Sequence, residues 1–161
     1  MSASLLVRPA VPSDYERWLP LWDGYNAFYG RSGVSALAPE ITRMTWMRFF
    51  DAYEPMHALV AESGDQLVGL AHYLFHRSTT AMAPVCYLQD LFTDASTRGQ
   101  GIGGALISEV YEYARQARGF TGRRMRPTAP RKAFTTSSPS VPASSSIASC
   151  FDAEAAAPEG I

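Results

Sequence analysis

The segment Tyr87-Leu88-Gln89-Asp90-Leu91-Phe92-Thr93, followed by Asp94-Ala95-Ser96-Thr97 and Arg98-Gly99-Gln100-Gly101-Ile102-Gly103-Gly104, concentrates the residue types from which a binding site can be made. Its pattern is a buried strand, a short polar turn and a glycine-rich entry into an amphipathic helix. Successive main-chain N–H groups at such a turn, backed by the positive end of a helix dipole, form a cradle for a phosphate or pyrophosphate. Glycine suits the turn because a Cβ would hold ligand oxygens off the backbone. A left-handed φ is also open to glycine at little cost.

Three patterns with different chemistry overlap on this loop. Gly99, Gly101 and Gly104 satisfy the G-x-G-x-x-G of a dinucleotide-binding turn. That turn belongs in a first strand–helix–strand unit, with an acidic residue about 20 positions on. Here it follows most of the patterned chain, and no Asp or Glu lies between Glu112 and Asp152. A P-loop needs Lys followed by Ser or Thr, and the only lysine is Lys132. A helix start that binds nothing is the plain alternative. The pattern that remains begins at the arginine, where Arg98-Gly99-Gln100-Gly101-Ile102-Gly103 fits R/Q-x-x-G-x-G/A. On that motif the chain resembles the GNAT superfamily of acetyl-CoA-dependent N-acetyltransferases.

The resemblance runs from about Leu5 to Ala117 and is specific around the loop. Within the superfamily, Tyr87 to Gly103 is most similar to the polyamine, diamine and histone-type enzymes. Their fourth strand reads Y-L-E-D and two hydrophobic residues before the same loop. The fold implied is α/β, a mixed and mainly antiparallel sheet flanked by helices. The cofactor implied is acetyl-CoA. The backbone of Leu91, Phe92 and Thr93 would pair with its pantetheine arm. The amides of Arg98, Gly99, Gln100, Gly101, Ile102 and Gly103 would hold its pyrophosphate, with the Arg98 side chain near phosphate. The acceptor implied is a primary amine: a small amine, a polyamine or a protein lysine. An amine of pKa about 10 must lose a proton before it attacks a thioester, so a carboxylate or ordered water serves as base. The relatives carry Glu at the position of Gln89, which cannot accept that proton. Asp90 is the nearest carboxylate, and strand alternation turns it to the opposite face from Gln89. A direct base, a water relay and a structural carboxylate are all open to it.

These residues need a scaffold, and the rest of the chain supplies a readable one. Leu5-Leu6-Val7-Arg8-Pro9 reads as a first strand. Pro12-Ser13-Asp14 offers N-cap chemistry for a helix to about Tyr29. Trp18, Leu21, Trp22, Tyr25 and Phe28 recur on one apolar face of it. Tyr25, Asn26 and Tyr29, near its end, are candidates for lining a substrate mouth. Pro39 opens a second helix through about Tyr53. Met56 to Ala61 and Leu67 to Phe75 read as strands joined by the turn Ser63-Gly64-Asp65. Pro84 to Thr93 is the next strand. Ile102, Ala105, Leu106, Val110 and Tyr113 form a helical stripe ending near Ala117. A strand, two helices, three strands and the glycine-loop helix is the order a GNAT core requires.

The 161 residues, 47% hydrophobic, suit one compact domain. No run approaches the roughly 20 apolar residues of a membrane span, and the start lacks a secretory apolar region, so a cytoplasmic location is expected. Cys86 and Cys150 match no metal spacing, and Cys86 reads as a buried strand residue. His57, His72 and His76 form no metal set, so none is expected; they read as ordinary strand histidines, with His76 a substrate-contact candidate. The net charge of −1 hides an asymmetry. Up to Ala117 there are 8 arginines against 12 acidic residues; beyond it, 6 basic against 3 acidic. An acidic body favours a cationic amine over nucleic acid.

After Ala117 the character changes. Runs such as Thr135-Thr136-Ser137-Ser138-Pro139-Ser140 have the composition of a disordered tail. The resemblance calls instead for a fifth strand, a further helix and closing strands. Reading the allowed codons from each third base gives another peptide. Phe120-Thr121-Gly122 permits V-Y-W, Met125-Arg126-Pro127-Thr128 permits H-E-T-N-G, residues 133–140 permit L-Y-D-K-L-A-E-R, and Val141 to Phe151 permit S-G-F-I-V-Y-R-K-L-F before a stop. These resemble the family's next motifs. The expectation is therefore a catalytic core over 1–117, and a one-base shift near Arg118 that leaves 118–161 out of frame. An authentic low-complexity tail is the alternative. In the shifted chain the strand bearing Gln89 and Asp90 keeps an unpaired edge, open to partner pairing such as a homodimer. A coenzyme-binding remnant without turnover then stands beside the active enzyme.

Overall fold

The computed structural model describes residues 4–117. Strands β1 (Leu5–Pro9), β2 (Met56–Ser63), β3 (Gln66–His76) and β4 (Val85–Thr93) form one sheet in the order β1-β2-β3-β4. Every neighbouring pair is antiparallel. Helices α1 (Tyr15–Phe28) and α2 (Pro39–Arg48) precede β2, and α3 (Ile102–Ala117) follows β4.

Alternation along the buried strands feeds two cores, one on each face. Leu59, Ala61, Ala71 and Cys86 pack with Ile102, Leu106, Val110 and Ala114 of α3. Val60, Leu67 and Leu70 pack instead with Trp18, Leu21, Trp22 and Tyr25 of α1 and Trp46 of α2. The three tryptophans interlock, with Trp18 4.7 Å from Trp46 and 5.4 Å from Trp22 between ring centroids. Gly69 lets α3 lie against the sheet. A Cβ there would stand 3.0 Å from both Ile102 and Leu106. Gly24 does the same for α1, because a Cβ would meet the Phe92 ring at 2.8 Å.

Each expected element is present, with three differences. The second helix stops at Arg48 rather than near Tyr53. Asp51 accepts the Tyr53 amide in a local turn at 2.9 Å, and Pro55 pushes its predecessor out of helical geometry. Asp14 stands at the start of α1 but does not cap it. Its carboxylate accepts the Val11 amide and pairs with Arg8 and Arg17. Phe28 departs from the apolar face and is 72% exposed, since no described element covers the last turn of α1. Among the described residues no helix is long and apolar enough to cross a membrane. The tail reading, from 118 to 161, lies outside the described residues.

Candidate active site

The register of β3 and β4 slips once. His72 pairs with Asp90, but Tyr73 pairs with Leu88, so Gln89 is an extra residue without an opposite number. This β-bulge reverses the facing of everything after it. Cys86 and Leu88 lie on the α3 face, whereas Phe92 lies on the α1 face and Leu91 returns to α3. Gln89 is exposed and Asp90 is buried. Asp90 is thereby turned toward α1, where strict alternation from Cys86 would have put it under α3.

Asp90 meets a polar group that the sequence had not suggested. Its Oδ2 lies 2.9 Å from Nδ1 of His72, and the Trp18 indole N–H donates to Nε2 of the same ring at 3.1 Å. An indole nitrogen only donates, so Nε2 must be the acceptor and Nδ1 carries the proton toward Asp90. Burial, followed by a hydrogen bond to Asp90, holds the Tyr25 phenol above its usual titration range. Asp90 therefore holds His72 from within the core. Tyr25 is itself buried and stacked on Trp22, while Tyr29, 5.0 Å away, is 54% exposed. His72 carried one signal in the sequence: an imidazole in the apolar run Leu67–Phe75 requires buried partners. His76 is exposed and pairs with Val85, at the end of β4 farthest from the glycine loop.

After β4 the chain turns through Asp94, whose carboxylate accepts the Ser96 amide at 2.8 Å and the Ser96 hydroxyl. Those bonds hold the Asp94 pKa below the usual carboxylate range. Gly99 and Gly101 then take φ of +81° and +80°, and neither has an atom within 4 Å of where a Cβ would lie. The glycines are needed for their backbone angle and leave open space above the loop. The first main-chain bond of α3 runs from the Ala105 amide to the Gly101 carbonyl, at 3.0 Å. The amides of Ile102, Gly103 and Gly104 thus precede the helical ladder, as the first N–H groups of any helix do. Ile102 buries its side chain between α3 and the sheet and offers only its amide. Arg98, Gly99, Gln100 and Gly101 are exposed, and Leu91, Phe92 and Thr93 are half-buried. Among the described residues β4 pairs only with β3, so alternate main-chain groups of Leu91–Thr93 face outward. Donors, open space and positive dipole end fit a diphosphate, and the free strand edge fits an amide-bearing arm.

Comparison with known proteins shows the family and the fold. The sequence model of the Acetyltransferase (GNAT) family matches residues 18–129. The D-amino-acid N-acetyltransferase HPA3 of Saccharomyces cerevisiae is 33% identical over 113 residues, covering 68% of this chain and 67% of that protein. The chain belongs to the GNAT family. Its fold is the GNAT fold, a mixed α/β arrangement in which helices flank an antiparallel four-stranded sheet, and the chain is a GNAT-type N-acetyltransferase. Among solved structures, the ribosomal-protein-alanine N-acetyltransferase of Brucella melitensis biovar Abortus 2308 superimposes with a TM-score of 0.60 at 18% identity, over 71% of this chain and 74% of that one. AAC(6')-Iy, in complex with a CoA-bearing bisubstrate analogue, gives a TM-score of 0.55 at 14% identity, over 81% of this chain and all of that one.

Proposed function

We propose that this chain transfers an acetyl group from acetyl-CoA to a primary amine, with the amides of residues 98–103 as the diphosphate cradle. The observation that carries the proposal is the pair of left-handed glycines, Gly99 and Gly101, opening a bare helix end one short turn after β4. When bound, the coenzyme supplies a thioester whose acetyl carbon accepts the amine. Everything else falls to the chain. Several charge-assisted bonds of about 1.5–3 kcal/mol each, from the amides and Arg98, anchor the diphosphate. The outward main-chain groups of Leu91, Phe92 and Thr93 orient the arm. A main-chain N–H of β4 near the bulge would polarise the thioester carbonyl.

Proton removal falls to an ordered water rather than to a free side chain. Gln89 cannot accept a proton, and the Asp90 carboxylate is buried and already engaged by His72. Asp90 therefore does not touch the amine. Tyr29 lines the mouth. The acceptor is a small amine, a polyamine or a lysine-like group; likeness of the fourth strand to polyamine, diamine and histone-type enzymes supports the last two. HPA3 is named for D-amino acids, which supports testing amino acids as well.

We also propose that the core ends near Ala117 and that a one-base shift near Arg118 altered the residues beyond it. The support is the family's next motifs, readable from the third bases; the family match itself runs on to residue 129. The gene decides, since codons that forbid L-Y-D-K or the stop would reject the shift. Calorimetry with acetyl-CoA on the full chain tests the cradle, and thiol release across an amine panel tests turnover. Coenzyme uptake without thiol release from any amine would leave only a binding remnant. No uptake by folded protein would overturn the proposal.

A further inference from the structure

We infer that Arg31 is a carboxylate-binding residue, so that the preferred acceptor is an amine carrying a carboxylate, as in an amino acid or a peptide end. This rests on the acetyl-transfer reading and narrows its substrate class.

Arg31 is held at both ends. Gly30, with φ of +76°, closes α1 in a Schellman turn. Its amide bonds the Ala27 carbonyl at 3.0 Å and the Arg31 amide bonds the Asn26 carbonyl at 2.9 Å. The side chain then folds back over the last turn. Its Nε donates to Oδ1 of the buried Asn26 at 2.7 Å, and Asn26 is itself anchored to the Trp22 carbonyl at 2.8 Å. The guanidinium carbon lies 5.8 Å from the Tyr25 ring centre and 5.5 Å from that of Tyr29. An amide and two rings fix the group, leaving its two terminal nitrogens without an acceptor among the described residues.

That arrangement differs from the other well-anchored arginines. Arg8, Arg17, Arg48 and Arg115 each pair with a carboxylate of the protein. Arg31 has none, although the described part of the chain carries more acidic residues than basic ones. Its position ties it to the reaction centre: the Tyr25 ring beneath it stacks on Trp22, whose ring lies 5.3 Å from that of His72, the partner of Asp90 just after the β4 bulge. A planar fork with two free donors matches a carboxylate bidentately. The same charge repels a second ammonium, which ranks polyamines below amino acids.

The test pairs D- and L-phenylalanine with phenylalaninamide, in the full chain and in Arg31→Gln and Arg31→Lys. Thiol release gives kcat/KM for acid and amide, and the acid-to-amide ratio in each variant is compared with that of the unsubstituted chain, so that the amines' own basicity cancels. Calorimetry of N-acetylphenylalanine against its amide, with CoA present, gives the same comparison without turnover. Arg31→Gln is expected to lower the acid's kcat/KM and affinity by about tenfold to a hundredfold and to leave the amide within about twofold. Arg31→Lys, which keeps charge but not the fork, should fall between. Equal losses for acid and amide, or no loss, would overturn the inference. Absence of thiol release from every amine would instead count against the acetyl-transfer reading, and the calorimetric ratio would still decide the role of Arg31.

Discussion

Asp90, His72, Trp18 and Tyr25 show how much depends on individual atoms in this protein. A buried carboxylate, an imidazole with both nitrogens engaged and an indole N–H form a closed set. Among the described residues no buried side-chain nitrogen or oxygen lacks a hydrogen-bond partner. Removing one member strands another, and a stranded buried donor costs about 1–3 kcal/mol. Asp90→Ala should therefore lower unfolding stability by that amount in urea titrations. Asp90→Asn, whose carbonyl can still accept from His72 Nδ1, should lose less than half as much. Equal losses would show that the bond to His72 is not what matters. The sequence made Asp90 visible but not its partner: His72 lies 18 positions away, and only the slipped register brings the two together.

At the scale of elements, strands and helices follow largely from alternation and periodicity. The runs Leu5–Pro9 and Met56–Ala61 and the apolar stripe of α3 announce their structures, and Gly64, with φ of +60°, makes the turn between β2 and β3. What was illegible is non-local. The bulge at Gln89 leaves no compositional trace, and the early end of α2 depends on Asp51 and Pro55 acting together. The glycine loop was legible because its residues answer to backbone conformation rather than to distant partners. Its glycines nonetheless divide in two. Gly99 and Gly101 need their positive φ, whereas Gly103 is helical and its nearest Cβ contact would be Thr93 at an ordinary 3.8 Å. Gly103→Ala should thus stabilise the fold by about 0.5–1 kcal/mol in thermal melts while weakening acetyl-CoA binding. A gain in stability with unchanged binding would remove Gly103 from the cradle. Gly69→Ala is expected to do the reverse of stabilising. Crowding Ile102 and Leu106 at 3.0 Å, and the Phe92 carbonyl at 3.2 Å, overpacks the α3 interface at about 1–3 kcal/mol. A neutral result in urea titration would show that α3 can shift to relieve it.

Across the whole molecule, four charges join β1, α1 and β2. Arg8 bridges Asp14 at 2.7 Å and Glu62 at 2.8 Å, and Arg17 bridges the same two acids at 2.5 and 2.8 Å. The Arg8 guanidinium is the main reason the fully buried Asp14 carboxyl is held down to about 2. Because its native pKa lies below the unfolded value of 3.8, its contribution is complete above about pH 4 and fades as pH falls toward 2. The loss should be about 2 kcal/mol, read from urea midpoints between pH 5 and 2, and Asp14→Asn should flatten that part of the curve. An unchanged slope in Asp14→Asn would move the acid sensitivity elsewhere. The two cores on either side of the sheet give the strand slip a further meaning. A strand that kept Gln89 but ran without the slip would turn Asp90 into the oily layer beneath Leu106 and lift Phe92 from its seat against Gly24, whereas removing Gln89 itself would give an even ladder with both on their present faces. One unpaired residue thus decides which layer every later side chain of β4 enters, and straightening the strand around it would trade places between charge and grease on both sides of the sheet at once.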